Sequence, residues 1–395
     1  MEAAPVSIRR ARPLLGTFVE IAVAGQTFDA AEAAVEAAFS AVATVHRLMS
    51  FHEAGSDVSR LNRGAASGPV RVHDWTYQVL EAARDLHRRS GGMFDISVAP
   101  ALQKLGLLPS VPGLLSTPSP RLRGEGRGEG ASPLAQTGGE GDLIGAGGRS
   151  GRRAAMTSLG LRGEASGFGR RTTGHFGDAE LAERPPHPDP LHSPSKTGVN
   201  ALMASGERVQ RARGTHNSLQ LLPDNRVRFA DPSVKIDLGG IAKGFAVDRA
   251  VEALLRHGIA EGLVNAGGDL RVFGPRSHAV DIRDPRQPDR PLYRVALCNA
   301  ALASSAGRFD PVRSHSALFS GVIDPATAMP GRAISGATVC GPGCMVADAL
   351  TKVVMNAGEG AAAILEHYGA DALFVSARGQ VHITADWKNE VHLAA

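Results

Sequence analysis

The chain has 395 residues, 43 % of them hydrophobic and 21 % charged, with a formal net charge of +4, a composition expected of a soluble globular protein. No stretch approaches the roughly 18 consecutive apolar residues of a membrane helix, which excludes a helical membrane span. The positive excess falls within Leu107–Arg213 and leaves the rest close to neutral, so a nucleic-acid partner is not expected either.

The opening residues "MEAAPVSIRRARPLLGTFVEIAV" carry an Arg pair, but Pro13 and Glu20 interrupt the apolar residues after it. No apolar signal core forms, so a cytoplasmic location is the expectation, with export requiring a start further upstream. "GTFVEIAVAG" alternates like a strand, and "DAAEAAVEAAFSAVATVHRLMS" has apolar residues at helical spacing with Asp29 as a plausible N-cap. A second helix, "DWTYQVLEAARDLHRRSGG", is expected to stop at Gly91 and Gly92.

From about Pro109 to Arg213 the chain is dense in Gly, Pro, Arg and Ser, as in "SPRLRGEGRGEG" and "ERPPHPDPLHSPSKTG". Such a segment cannot bury enough surface to offset its ordering entropy, so residues 107–213 read as a disordered insertion between two parts of one domain, 1–106 and 214–395. Order resumes with "LQLLPDNRVRFADPSVKIDLGG", read as short strands around an Asp-Asn turn, the last ending at Asp237. A helix follows from Ala242 to His257, closed by Gly258, and "GLVNAGGDLRVFG" reads as strand, glycine turn, strand. "HAVDIRDP", "LYRVALCNAALASSA" and "SGATVCG" read as further strands, and "MVADALTKVVMNAG" as a helix. Short strands grouped between long helices point to an α+β, mixed α/β fold rather than a regular βαβ repeat.

Three cysteines, Cys298, Cys340 and Cys344, cannot all pair within one chain and are read as reduced thiols. At "KIDLGGIAKG" the sequence places Asp237, the pair Gly239 and Gly240, and Lys243 around the start of a helix. Glycines allow close backbone approach, and unpaired N–H groups with a lysine make such a terminus an anion site, phosphate being the usual guest. On the later helix, Asp348, Thr351 and Lys352 share one face through i,i+3 and i,i+4 spacing, which suits a hard cation or a dipole partner. "NAGGDL" lacks the third glycine and the helix of a dinucleotide fingerprint and is discounted as one.

In order, "LLGTFVEI", "MSFHEAGSDVSRLNR", "GGMFDISVAPAL", "IDLGGIAKGFAVDRA", "LVNAGGDLRVFG", "VIDPAT" and "ADALTKV" resemble the FAD:protein FMN transferase (ApbE) family across residues 1–106 and 214–395. The resemblance implies a Mg²⁺-dependent enzyme that moves FMN from FAD onto a Thr or Ser of an acceptor flavoprotein, within a Ser/Thr-Gly-Ala-Thr type motif. A phosphoester forms and AMP is released. It also implies FAD contacts at Leu15, His52, Met93, Phe94, Asp95, Asp237, Lys243 and Ile323, and metal contacts at the Gly240 carbonyl, Asp348, Thr351 and Lys352.

The chain departs from the family pattern in three places. Lys352 stands where a Thr is usual, and Gly321 stands where a His, three residues before Asp324, is associated with transfer; His315 is the nearby candidate substitute. A Thr-Ser-Gly turn reads Ser304, Ser305, Ala306, and the Gly expected after Thr327 is Ala328, so a loop of altered shape is expected. The alternatives left open are an FAD-binding protein without transfer and an FAD pyrophosphatase giving FMN and AMP. "ISGAT", Ile334–Thr338, matches the acceptor core, but its place on a strand leaves the Thr338 hydroxyl poorly placed for in-line attack.

Overall fold

Alternation in the first strands sets the architecture. Within β2 (Thr17–Gly25), Val19, Ile21 and Val23 are buried on one face, and the strand pairs antiparallel with β1 (Val6–Leu14) through a turn at Leu15 and Gly16, both at positive φ. The computed structural model describes residues 6–25, 27–109, 218–307, 312–314, 317–319, 321–387 and 390–394. These belong to a unit comprising Met1–Leu115 and Arg170–Ala395. The expected insertion, beyond residue 109, lies outside the described residues.

The chain continues through α1 (Phe28–Met49), α2 (Asp57–Gly64), β3 (Val70–Arg71), α3 (Asp74–Arg89) and α4 (Ala99–Lys104). From residue 219 onward come β4 (Leu219–Leu222), β5 (Arg226–Phe229), α5 (Ala242–Arg256), β6 (Gly262–Ala266), β7 (Asp269–Phe273), β8 (His278–Asp284), β9 (Gln287–Leu297) and β10 (Ala301–Ala306). Two short hairpins, β11 (Val312–Ser314) with β12 (Ala317–Phe319) and β13 (Ile323–Asp324) with β14 (Met329–Pro330), precede β15 (Ile334–Gly341), α6 (Cys344–Ala357), α7 (Ala362–His367), β16 (Asp371–Ser376), β17 (Val381–Ile383) and β18 (Val391–Leu393).

Among the described residues the main sheet has eight strands in the order β1-β2-β6-β7-β10-β15-β16-β17, with antiparallel pairing throughout. One face carries Val264, Ala266, Phe273, Ala301, Ala303 and Val339 into a core shared with α1, α5 and α6. The other carries Leu263, Leu270, Val272, Leu302 and Leu373 against the three-stranded sheet β18-β9-β8 and the buried Trp387. Period-two alternation thus feeds two separate cores from the same strands. The α+β expectation holds, as helices cover one face and a second sheet the other.

Several local expectations are corrected. Helix α1 begins one residue before Asp29, and Thr27 is its cap, its hydroxyl accepting from the Ala30 amide. Asp29 instead sits in the first turn, where a carboxylate complements the helix dipole. The segment ending at Asp237 joins no sheet. Both backbone groups of Ile236 bond the side-chain amide of Asn62 on α2 at 2.8 Å, and the Asp237 amide donates to the Ile96 carbonyl at 2.8 Å. Ser304–Ala306 form the end of β10 rather than a turn, since each pairs with a residue of β15. No helix among the described residues is long and apolar enough to cross a membrane.

Candidate active site

Helix α5 starts against α6, and Gly244 makes that approach possible. A Cβ at Gly244 would lie 2.2 Å from the Cys344 carbonyl oxygen and 2.8 Å from Asp348 Cβ. In its absence the Gly244 amide donates to Asp348 Oδ2 at 3.1 Å. The helix terminus therefore already holds an anion of its own, a correction to the expectation of free N–H groups there. Asp348 is fully buried. Its Oδ1 accepts from Lys352 Nζ, one turn along the same helix, and the same ammonium donates to the Asp348 carbonyl at 3.0 Å.

The second lysine is held in a matching way. The β6–β7 turn, with Gly267 and Gly268 at positive φ, delivers Asp269 to the helix-facing side of β7, where it is 1 % exposed. Lys243 Nζ lies 2.8 Å from Asp269 Oδ2. Two carboxylates and two ammoniums thus surround the start of α5. Burial favours the neutral acid at Asp348, but Lys352, Lys243 and the Gly244 amide outweigh it and hold its carboxyl below the ordinary range. At Asp269, burial and the nearby Asp348 charge raise the carboxyl despite Lys243 and Lys352. Burial pulls the Lys243 ammonium down, yet Asp269 and Asp348 prevail and raise it.

Of the remaining expected contacts, Gly240 lies against Lys352 of this cluster, with Phe94 beside it. A Cβ at Gly240 would lie 3.4 Å from Lys352 Cε and 3.7 Å from the Phe94 ring, so both side chains wall the Gly240 backbone. Asn356, at the end of α6, donates to the carbonyls of Met93 and Ile323 at 3.1 Å each, tying those two loops together. Asp237 accepts from the Gly239 amide at 3.0 Å. Burial raises its carboxyl, with the Gly239 bond and the charge of His52 opposing. Leu15 lies in the β1–β2 turn, and next to it Thr17 packs on Gly267, where a Cβ would meet Thr17 Oγ1 at 2.4 Å.

Some expected residues have their polar groups engaged within the fold. Asp95 Oδ1 accepts from the amide and hydroxyl of Ser97, both at 2.7 Å, and caps the short 3₁₀ turn Ile96–Val98. Asp95 Oδ2 lies 3.8 Å from His87 Nδ1. Thr351 is fully buried, and its hydroxyl donates to the Asp348 carbonyl at 2.6 Å and bonds Ser305 on β10 at 2.7 Å. Gly321 is exposed, and His315 lies outside the described residues. Ala328 takes φ +55, a left-handed conformation that usually belongs to glycine. Thr338 is buried and bonded to Ser304 at 2.9 Å on β15.

As folded, this set does not fit a divalent cation. Magnesium requires several oxygen ligands in near-octahedral order, whereas both oxygens of Asp348 and the Thr351 hydroxyl are already engaged by protein partners. Among the described residues no group of three or more His, Cys, Asp or Glu side chains converges as a metal site.

Asp269, Asn62 and Asn356 were not singled out by the sequence, and Ser305 was noted only as part of an altered turn. Asp269 was visible only as the acid after a glycine turn in "NAGGDL", and the others have partners far away in the chain.

The profile of the ApbE family matches residues 15–124 and 181–374. An FAD:protein FMN transferase of Rhodobacter capsulatus is 34 % identical over 137 residues, covering 34 % of this chain and 26 % of its own length. Another, from Treponema pallidum, is 32 % identical over 180 residues, covering 40 % of this chain and 48 % of its own. The chain thus spans a quarter to a half of the curated relatives it matches. The crystal structure of the ApbE protein from Thermotoga maritima superposes with a TM-score of 0.67 at 21 % identity, covering 98 % of this chain and 99 % of that one. The flavin transferase ApbE from Vibrio cholerae gives 0.61 at 20 % identity over the same shares. These structural likenesses show the fold.

Proposed function

The chain belongs to the ApbE family, and from that premise we propose that it is an FAD:protein FMN transferase acting on a Thr or Ser of an acceptor protein. The observation that carries the proposal is the pair of lysines, Lys243 and Lys352, anchored by buried Asp269 and Asp348 beside the glycines that open α5. Such a cradle suits the diphosphate of a dinucleotide, because fixed cations offset its charge without reorganising as the reaction proceeds.

In the proposed reaction the acceptor hydroxyl oxygen bonds the phosphorus on the FMN side of FAD. The P–O–P bridge breaks, and AMP leaves with the bridging oxygen. The hydroxyl proton passes to solvent or to the AMP phosphate. Leu15, His52, Met93, Phe94, Asp237 and Ile323 are proposed to line the flavin nucleotide, with Asp95 holding the loop that presents Met93 and Phe94. The expected dependence on Mg²⁺ is left out of this proposal, because the oxygens of Asp348 are engaged.

One observation favours a second reading, FAD binding without transfer. Gly321, at the position where the family has its His, is exposed and brings no side chain to accept a proton. The test is incubation of the intact protein with FAD, Mg²⁺ and a peptide carrying a Ser-Gly-Ala-Thr core, followed by mass spectrometry of every species. An FMN-sized addition to the peptide with AMP release is the expected result. Bound FAD with unmodified peptide would establish the second reading, and free FMN with AMP and no modified peptide would mark a pyrophosphatase.

A further inference from the structure

We propose that the ammonium of Lys352 takes the place of a divalent cation at the start of α5, so that two lysines hold the diphosphate and no metal ion is required. The inference rests on the flavin reading above for the identity of the guest, while its geometry stands independently. Lys352 Nζ donates to Asp348 Oδ1 and to the Asp348 carbonyl, and its stem passes over the Gly240 backbone. It therefore lies among Asp348 and Gly240, two of the groups that the resemblance assigns to a metal. Thr351, another of those groups, points its hydroxyl to the Asp348 carbonyl and Ser305.

The charges lead to the same conclusion. Each of the two carboxylates has its own ammonium, Asp348 with Lys352 and Asp269 with Lys243, so their formal charges balance without a further cation. A divalent ion on Asp348 would have to displace Lys352 or share a carboxylate with it. Like charges a few ångström apart in a buried site repel strongly. An ammonium has three donors, and Asp348 takes two of those on Lys352. The third remains for a phosphate oxygen, reached from the 18 % of the Lys352 side chain that is exposed. Lys243, paired with the Asp269 carboxylate, adds donors beside it.

Two measurements on the intact protein test this. The first titrates Mn²⁺ alone and follows the free-ion signal by electron paramagnetic resonance. The wild type is expected to take up no stoichiometric Mn²⁺, whereas Lys352→Thr is expected to bind one ion. The second follows FAD binding by fluorescence, with Mg²⁺ or with EDTA. Wild-type affinity is expected to change by less than about twofold between the buffers, and Lys352→Thr affinity to fall by at least about tenfold in EDTA. Lys352→Arg, which keeps the charge, is expected to stay independent of metal. Stoichiometric Mn²⁺ uptake by the wild type, abolished in Asp348→Asn, would overturn the proposal. So would wild-type FAD binding that requires Mg²⁺. Should Lys352→Thr fail to fold, the wild-type and Lys352→Arg results decide alone. Absence of FAD binding in either buffer would remove the flavin reading, and the Mn²⁺ titration would still decide the role of Lys352.

Discussion

Asp248 on α5 accepts the backbone amide of Met345 on α6 at 2.8 Å, and its other oxygen accepts the Cys344 amide at 3.0 Å. The N-cap position of α6 is Gly343, which has no side chain to serve those donors, so the cap comes from another helix. Arg271 Nη1 completes the arrangement at 2.8 Å from Asp248 Oδ1. Asp248→Ala strands two amides and a guanidinium at a part-buried position and is expected to cost about 3 kcal/mol, whereas Asp248→Asn should cost less because one amide keeps its acceptor. Denaturant unfolding of the two variants measures the difference.

The contact between α5 and α6 depends on Gly244 in the same region. With its would-be Cβ 2.2 Å from a backbone oxygen, no rotamer change can make room. Gly244→Ala must push the helices apart and lengthen the bond from residue 244 to Asp348. An overpacked core of this kind costs roughly 3 kcal/mol. Lower thermal stability and weakened FAD binding are both expected, and a variant with wild-type values of each would show that α6 is free to shift.

The parts of this fold that depend on local periodicity were legible beforehand, and the parts that depend on distant partners were not. The long helices and the strands around "NAGG" follow from spacing, and so does the shared face of Asp348, Thr351 and Lys352. What spacing cannot show is which of those three turns inward. Thr351 meets Ser305 on β10 because the strand presents alternate residues to α6, and this also leaves Ser304 and Thr338 on the opposite face, bonded to each other. Asp237 looked like a strand end because Val234 and Ile236 alternate with polar residues. Its neighbour Ile236 pairs instead with Asn62, 174 residues earlier. Partners so far apart leave no mark on a local pattern.

Ala328 is strained by its backbone. At φ +55 its Cβ is crowded against the chain, a conformation that costs an L residue roughly 1–2 kcal/mol. The turn is held by Asp324, which accepts from the Ala326 amide at 2.9 Å and the Thr327 hydroxyl at 3.1 Å. Ala328→Gly relieves the strain while adding freedom to the unfolded chain, so a net stabilisation of about 0.5–1 kcal/mol is expected. A rise in the thermal midpoint without change in FAD affinity checks it.

Asn356 acts at the site through other residues. Its amide nitrogen bridges the carbonyls of Met93 and Ile323 from loops that are otherwise separate. Asn356→Leu removes both bonds while roughly keeping volume, and the two loops lose their common anchor. FAD affinity is expected to fall about tenfold, which corresponds to 1.4 kcal/mol, with a stability loss of about 1 kcal/mol. An equal loss of both from Asn356→Asp, whose oxygens cannot donate to carbonyls, would be consistent with positioning by the donor. Unchanged FAD affinity in both variants would remove the role.

Away from the site, Asp85 and Tyr368 form a pair with opposite pH signatures. The Tyr368 hydroxyl donates to Asp85 Oδ2 at 3.0 Å, and Arg89 Nε reaches the same oxygen at 2.7 Å. Burial opposes ionisation of Asp85, but bonds from Arg89, Tyr368 and Arg88 prevail and hold its carboxyl below the ordinary value. Its contribution is therefore present above the unfolded carboxyl range and lost as the pH falls through the lower folded value. Burial, with Asp85 close by, pushes the Tyr368 phenol up to about 12. That contribution is complete below the ordinary tyrosine range near pH 10 and disappears as the pH rises towards about 12. Tyr368→Phe is expected to flatten the alkaline limb of the stability profile and weaken the acid limb, whereas Asp85→Asn should flatten the acid limb and reduce the alkaline one. Chemical denaturation across pH 3–12 reads both limbs, and an alkaline limb unchanged in Tyr368→Phe would show that another group controls it.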